Sequence, residues 1–387
     1  MNHVEPSITT GRRRAELAGA GIAGLAAAIA LAERGWSVRV HERSSALRAE
    51  GAGIYLWENG LRVLEALGTL ETALHGCHPG WRRETRDDRN RVVATAQWSE
   101  ERGRRVVSVV RQRLLGALAD RARALGVEIV LGSEAIAARA DGTLVLQGSD
   151  PVQADLIVAA DGVNSKVRDS LALLATRRPL ADGAIRVMIP RLPEERASEE
   201  GRKYVEYWSG HRRVLYTPCS DEDVYLALTT LDTDVRGKAV PLDVGAWCES
   251  FPHLRPLIHR IGGGARWDRF ETIRLQRWSA GRVAIVGDAA HAMAPNLGQG
   301  GGCALMNGLA LAVALEGAAS VEDGLADWER TERPLTEHTQ RVSALYSRVT
   351  TMPPLLRAAV LAWAGRSKWV TGQRMRTALH VPTGAKA

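Results

Sequence analysis

Cysteine is scarce in this chain, with four residues among 387, and Cys77, Cys219, Cys248 and Cys303 are far apart with no CxxC pair. That spacing excludes a disulfide framework and a zinc site of the usual kind, and fits a reducing cytoplasm. Long apolar runs free of glycine and charge are missing too, so no membrane span is expected. No apolar core of the signal type follows Arg12-Arg13-Arg14, which leads straight into a glycine-rich stretch, and the expected location is cytoplasmic. Phenylalanine occurs only twice and tyrosine six times against 11 tryptophans, so an aromatic pocket wall would draw on residues such as Trp57, Trp208 and Trp267, for which core packing is the competing role. There is no internal repeat and no low-complexity segment. The formal net charge is +7, but acids are interleaved with the arginines. A preference for small anions is therefore expected rather than a nucleic-acid surface.

What is present begins with Gly19, Gly21 and Gly24 in Ala18-Gly-Ala-Gly-Ile-Ala-Gly-Leu25. The apolar run before them reads as a strand, and Ile22 to Arg34 reads as a helix ended by Gly35. Each glycine has a task at such a turn: Gly19 makes the tight bend, Gly21 lets backbone approach a pyrophosphate, and Gly24 lets helix and strand pack closely. Ile22 and Ala23 open the helix, whose free N–H groups and partial positive charge suit a phosphate. Trp36 to Glu42 alternates as a strand ending in an acid, and Glu42 is expected to accept from ribose hydroxyls. Glu16, in the first strand, is expected at a strand end facing solvent.

A second glycine-bearing turn, Arg48 to Gly60, contains Gly51 and Gly53 and precedes an amphipathic helix from Leu61 to Leu67. Thr72 to Ala96 is polar and rich in arginine, and reads as a strand pair of another layer. Val106 to Val110 reads as a buried strand followed by a helix from Arg111 to Leu125. Strands are expected over 127–131, 135–139, 144–147 and 156–160, the last running into Asp161-Gly162. Between about Asp182 and Glu271 period-2 alternation dominates and implies a largely antiparallel sheet with one face over a pocket. The buried strand of Arg282-Val-Ala-Ile-Val-Gly-Asp-Ala-Ala-His291 then ends in Gly287-Asp288, and Asn296 to Gly302 leads into an apolar helix. Trp328 to Leu379 reads as helical with a break at Pro353-Pro354. The expected organisation is a discontinuous nucleotide domain over 1–74, 98–180 and 271–345, a substrate domain over 75–97 and 181–270, and a helical tail over 346–387.

Three glycine–acid signatures on one chain suggest an enzyme. With Gly19, Gly21, Gly24, Glu42, Asp161, Gly162, Gly287 and Asp288 in these places, the chain resembles the single-component flavoprotein aromatic monooxygenases of the p-hydroxybenzoate hydroxylase class over nearly its full length. Within that class His41-Glu-Arg-Ser-Ser-Ala-Leu-Arg48, Gly51 to Trp57, Asn59 to Glu65, Val214 to Cys219 and Val224-Tyr-Leu226 resemble the 2-methyl-3-hydroxypyridine-5-carboxylic acid oxygenases. The resemblance implies an α/β fold: a Rossmann-like FAD-binding domain of the glutathione-reductase type, an inserted antiparallel β-sheet substrate domain and a C-terminal helical segment. It implies FAD, with NADH or NADPH as a transient electron donor, and O₂ used through a flavin hydroperoxide. Cofactor contacts would come from the residues above with Arg43, Arg48, Gly53, Arg111, Gly298, Gly300 and Gly301.

The loop from Pro295 to Gly300 would compensate negative charge at the flavin. Arg186, Arg213, Tyr225 and Arg83 would face the substrate, and Tyr225, Arg213 and Pro295 are the expected catalytic positions. His291 is expected to serve structure near the phosphates rather than acid–base chemistry. Arg83 stands where the relative carries a tyrosine, and Pro295-Asn296-Leu297-Gly298 reads more like the ordinary hydroxylases. The substrate class implied is a small hydroxylated aromatic or hydroxypyridine-type carboxylate, with ring opening and plain ring hydroxylation both open, and a homodimer is left open. No metal is expected. A flavin-free NAD(P) dehydrogenase would leave Gly287-Asp288 and the Gly298–Gly302 loop without a role, and a non-catalytic flavin carrier would not need the inserted sheet.

Overall fold

The computed structural model describes residues 12–47, 53–98, 101, 103–263 and 265–386. Arg48, expected at the cofactor, and Gly51 of the second glycine-bearing turn lie outside the described residues.

The strand Arg14–Ala18 pairs in parallel with Leu156–Ala159 on one side and Ser37–Glu42 on the other. It is the centre of a six-stranded sheet in the order Ser279–Ala280, Val283–Ile285, Leu156–Ala159, Arg14–Ala18, Ser37–Glu42, Glu128–Leu131. Two helices against this sheet are apolar all round, as a helix with no solvent face must be. Ile22–Glu33 is buried at every position from Ile22 to Leu31, and Gly300–Glu316 at nearly every position from Gly302 to Leu315. They approach closely at Gly308, where a Cβ would lie 3.0 Å from the Ala27 nitrogen. This core places the two glycine turns that open these helices side by side.

A seven-stranded sheet covers the other half, in the order Trp267–Leu275, Leu174–Pro190, Asp223–Leu231, Arg212–Pro218, Tyr204–Ser209, Arg82–Arg86, Val92–Gln97. It is antiparallel except where Tyr204–Ser209 runs parallel to Arg82–Arg86. The polar stretch around Arg82 thus joins this second sheet, as its break from the α/β rhythm suggested. Leu174–Pro190 is a single 17-residue strand whose register to Trp267–Leu275 slips between Pro179 and Gly183. The expected boundary at 180/181 falls within it, and that at 345/346 falls within the continuous helix Val321–Thr350.

The fold is the expected one, with two local corrections. Glu16 does not face solvent. It is fully buried and accepts from Arg14 Nε at 2.7 Å, and its other oxygen lies 2.8 Å from His41 Nε2. The central strand tolerates the acid because the neighbouring strand supplies a ring nitrogen and its own strand a guanidinium. Within the region read as alternating strands, Val244–Ser250 is a helix: Asp243 caps it by accepting from the Ala246 N–H at 2.8 Å, a local signal that prevails there over the period-2 pattern. Among the described residues, no helix is long and apolar enough to cross a membrane, and no cluster of side chains could hold a metal ion. All four cysteines are free.

Candidate functional site

The first turn is built by its three glycines in three different ways. Gly19 has φ +98°, and a Cβ there would lie 2.9 Å from the Ala160 carbonyl carbon, so the chain can bend only without a side chain. A Cβ on Gly24 would lie far inside contact distance of the Gly19 carbonyl oxygen, so the glycine is what lets helix and strand approach closely. At Gly21 a Cβ would meet nothing within 4 Å. Gly21 is the N-cap of Ile22–Glu33; no side chain caps that end and no acid lies in its first turn. Its first N–H groups are thus available beside an open face, which is what an approaching pyrophosphate requires. Glu42 is pinned next to the turn: Oε2 accepts from the Ala20 N–H at 3.0 Å and Oε1 from the Ser44 N–H at 2.9 Å. Arg43 is exposed beside it.

Two further strand ends converge on this turn. Asp161 follows Leu156–Ala159 directly under Gly19; Oδ2 accepts from the Val167 N–H at 3.3 Å, while Oδ1 is buried with no partner. Burial pushes its carboxyl up, against the pull of Ser165 and the Val167 N–H. An orphaned carboxylate oxygen and Gly162, at φ +84° with open space around its Cβ position, leave room for a ligand group that donates hydrogen bonds. Gly287, at φ +63°, would bring a Cβ within 2.7 Å of Ala23, and Asp288 starts the next short helix with its side chain exposed.

The loop before Gly300–Glu316 joins this end to the seven-stranded sheet. The Pro295 carbonyl accepts from the Gly298 N–H at 2.9 Å, and Gly298, at φ +62°, lies against Tyr55. Gly301 packs on Ile54, whereas Gly300 is nearly unconstrained, its nearest neighbour being Met293 at 3.9 Å. The Trp57 indole donates to the Leu297 carbonyl at 3.1 Å. Asn296 Nδ2 donates to Ser347 at 2.7 Å, while its Oδ1 accepts from Arg213 Nη2 at 3.0 Å. Gly53 comes close to the sheet, its Cβ position 2.7 Å from that of Tyr225.

The seven-stranded sheet carries a buried charge cluster at the residues expected to face a substrate. Arg83 and Arg213 both bind one carboxylate, Glu206, which is 4% exposed; Arg213 Nη1 donates to it at 3.1 Å and Arg83 makes an ion pair with it. Burial works against ionisation of Glu206, but the charges of Arg83 and then Arg213 prevail and hold its carboxyl below the usual range. The Arg213 guanidinium also lies 5.2 Å from the Trp208 ring centre, with Arg357 at 4.8 Å from the same ring. Arg374, from the helix Lys368–Met375, stands 5.3 Å over Tyr346, and burial depresses its pKa. Asp182 is 1% exposed; burial raises its carboxyl while Arg213 opposes that. Tyr225 is 8% exposed; burial raises its phenol, against the pull of Arg186, Arg213 and Arg111. The Tyr55 hydroxyl meets Thr217 Oγ1 at 2.5 Å, and its ring packs edge-on against Tyr204.

Arg186, Arg213 and Arg111 therefore all act on Tyr225, and Arg83 is tied to Arg213 through Glu206. Pro295 is exposed at the adjoining loop. His291 is 1% exposed, with Nε2 at 2.9 Å from Asn307 Nδ2, and burial pushes its pKa down to about 4. Sequence reasoning missed Glu206, Asp182, Asn296 and Arg374. Glu206 carried a faint signal, an acid set between Val205 and Tyr207 in an otherwise apolar strand. Arg374 carried none, since its place depends on how the last helix folds back: Gln299 Nε2 holds the Arg374 carbonyl at 2.7 Å and His338 lies 2.9 Å from that of Gln373.

Comparison with known proteins places this arrangement. Residues 15–348 match the FAD binding domain family. The chain is 47% identical over 370 residues to a putative 2-heptyl-3-hydroxy-4(1H)-quinolone synthase of Rhodococcus erythropolis, covering 96% of this chain and 97% of that one. It is 42% identical over 360 residues to a 2-heptyl-3-hydroxy-4(1H)-quinolone synthase of Mycobacteroides abscessus, covering 92% and 95%. The tetrameric form of 2-methyl-3-hydroxypyridine-5-carboxylic acid oxygenase superposes with a TM-score of 0.86 at 42% identity, covering 97% of this chain and 100% of that one.

Proposed function

The chain belongs to the FAD binding domain family and is an FAD-dependent aromatic monooxygenase; from that premise we propose that it hydroxylates an N-heteroaromatic ring carrying an oxo or hydroxyl group, of the 4-quinolone class. When bound, FAD supplies the reduction by NAD(P)H and the activation of O₂. In this reading the open N–H groups behind Gly21 take the pyrophosphate, Glu42 and Arg43 lie at the adenosine side, Asp161 with Gly162 and Asp288 with Gly287 flank the middle of the cofactor, and Arg111 and Gly53 reach its ring. The helix end at Gly298, Gly300 and Gly301 offers N–H groups to negative charge on the reduced ring, an effect that grows as water is excluded.

The observation that carries the substrate class is the sharing of Glu206 by Arg83 and Arg213. Two cations expected to face a substrate carboxylate are already bound to one, so the pocket favours a neutral or singly ionised ring over a carboxylate-rich one. Cys219, Tyr225 and Ala227 with Val110, Met188 and Leu215 form a small apolar group beside it, suited to a flat ring. Tyr225 would hydrogen-bond the ring oxygen and Arg213 would orient it. Two relatives named as quinolone synthases support this reading.

A second reading, oxygenation of a hydroxypyridine carboxylate with ring opening, is favoured by Arg186. Its guanidinium lies 5.8 Å over Phe270 and acts on Tyr225, which leaves a cation for a carboxylate. A screen of 4-quinolones against hydroxypyridine and hydroxybenzoate carboxylates, read as stimulated NAD(P)H oxidation with products identified by mass, separates the two. Stimulation by quinolones with one oxygen added supports the first. An acyclic product from a pyridine carboxylate alone would replace it with the second.

A further inference from the structure

A second cavity, of about 550 Å³, opens on the substrate domain away from the glycine turns, lined by Cys77, His78, Pro79, Trp81, Arg191, Arg196, Arg202 and Asp221. None of the residues placed at the cofactor or substrate lines it. Tyr204 stands between the two regions: its hydroxyl donates to the His78 carbonyl at 3.1 Å, and its ring packs on Tyr55.

Three guanidiniums face one carboxylate here. Arg191 is 3% exposed and donates to the carbonyls of Ser220 at 2.9 Å, Gly201 at 2.8 Å and Glu195 at 3.1 Å, with the Tyr216 phenol as a further neutral partner. Its Nε has no partner. Arg196 donates to the Arg191 carbonyl at 3.2 Å and Arg202 to that of Arg196 at 3.4 Å. His78 is 7% exposed and its Nδ1 has no partner either. A buried guanidinium held by neutral acceptors keeps most of its charge uncompensated, and a buried unpartnered donor is costly. One ligand would answer both features.

We propose that this cavity is an accessory site for an anionic group, phosphate or carboxylate, which accepts from Arg191 Nε and His78 Nδ1 and is enclosed by Arg196 and Arg202. Phosphate and carboxylate are the groups whose geometry guanidinium forks match. The cavity exceeds the volume of an isolated phosphate, so the anion can be one end of a larger ligand with a face toward Trp81. A phosphorylated nucleotide and a free anion share this chemistry.

The test is calorimetric titration of the FAD-loaded full-length protein with inorganic phosphate at low ionic strength, beside the Arg196→Gln/Arg202→Gln double variant. Both arginines are exposed, so the fold and the FAD content should survive. Saturable one-site binding, weakened at least tenfold in the double variant, is expected. Competition then identifies the source: 2′-phospho-ADP-ribose displacing phosphate tenfold better than ADP-ribose points to a nucleotide phosphate, and equal weak competition to a free anion. Absence of saturable phosphate binding, or binding that the double variant leaves unchanged, would overturn the proposal.

Discussion

At Gly21 a side chain would project into open space, while at Gly24 it would strike backbone, and the two glycines therefore separate binding from folding. Gly21→Ala should leave stability within about 0.5 kcal/mol of the parent, as for a substitution that meets nothing, yet the purified protein should carry markedly less FAD. Gly24→Ala should cost about 1–3 kcal/mol through overpacking. Thermal melts of the apoproteins beside flavin absorbance check both, and normal flavin content in a stable Gly21→Ala protein would move the pyrophosphate elsewhere. This contrast was legible in the sequence because spacing alone distinguishes the three glycines. Glu206 was not, since which charges meet across a sheet depends on register: it takes the pairing of Trp208 with Arg213 and of Tyr204 with Arg83 to bring both cations to one carboxylate.

Removing that carboxylate should be expensive. Glu206→Gln leaves two buried cations facing each other, and breaking such a pair costs about 3–5 kcal/mol. The folded pKa of Glu206 lies below its ordinary value, so its contribution is complete above the ordinary carboxylate range and disappears as pH falls through the lower folded value. The variant's deficit should therefore be full at neutral pH and shrink on acidification, read as urea midpoints against pH. A deficit that did not shrink would mean the ion pairs are not its source. Arg213→Met should raise the apparent substrate KM by one to two orders of magnitude, the about 1.5–3 kcal/mol of a hydrogen bond to a charged group, without loss of FAD. An unchanged KM would take Arg213 out of the pocket.

Among the elements, the loop before the helix Gly300–Glu316 ties that helix to the seven-stranded sheet through Asn296 and Arg213, and to the C-terminal helix through Gln299. Gly300 has negative φ and ample space, so Gly300→Val should fold normally. The branched side chain would nonetheless stand before the helix N-terminus and keep its N–H groups from close approach to the flavin. Stopped-flow reduction by NAD(P)H should be slowed severalfold at normal FAD content, and a parental rate would show that the loop end lies away from the ring. The type of each element was readable from periodicity and glycine punctuation. The return of Lys368–Met375 onto the site was not, because no pattern in a helix states what it will pack against.

For the molecule as a whole, two buried histidines in different halves set its acid limit. Burial pushes both His78 and His291 down to about 4. The unfolded chain takes up these protons near 6.5, so their contribution should lower stability as pH falls from there toward about 4, by up to about 1.4 kcal/mol per pH unit for each histidine, and add no further loss below that. His291→Gln, which can keep a hydrogen bond to Asn307, should make that decline shallower. An equal slope would assign the acid sensitivity elsewhere.

The α/β core, the inserted sheet and the helical C-terminal segment were legible in the sequence because glycine–acid strand ends and period-2 runs are local signals. The substrate was not, because it depends on charges that compensate one another only after folding. The proposed reaction places one atom of O₂ onto a heteroaromatic ring bound beside Arg213 and Tyr225. The most direct measurement is turnover of the FAD-loaded protein with NAD(P)H, a 4-quinolone and isotopically labelled O₂. Quinolone-stimulated NAD(P)H oxidation and a hydroxylated product carrying one labelled oxygen are expected, with stimulation and labelling both reduced in Arg213→Met. NAD(P)H oxidation that no ring compound stimulates, or a product whose new oxygen comes from water, would contradict it.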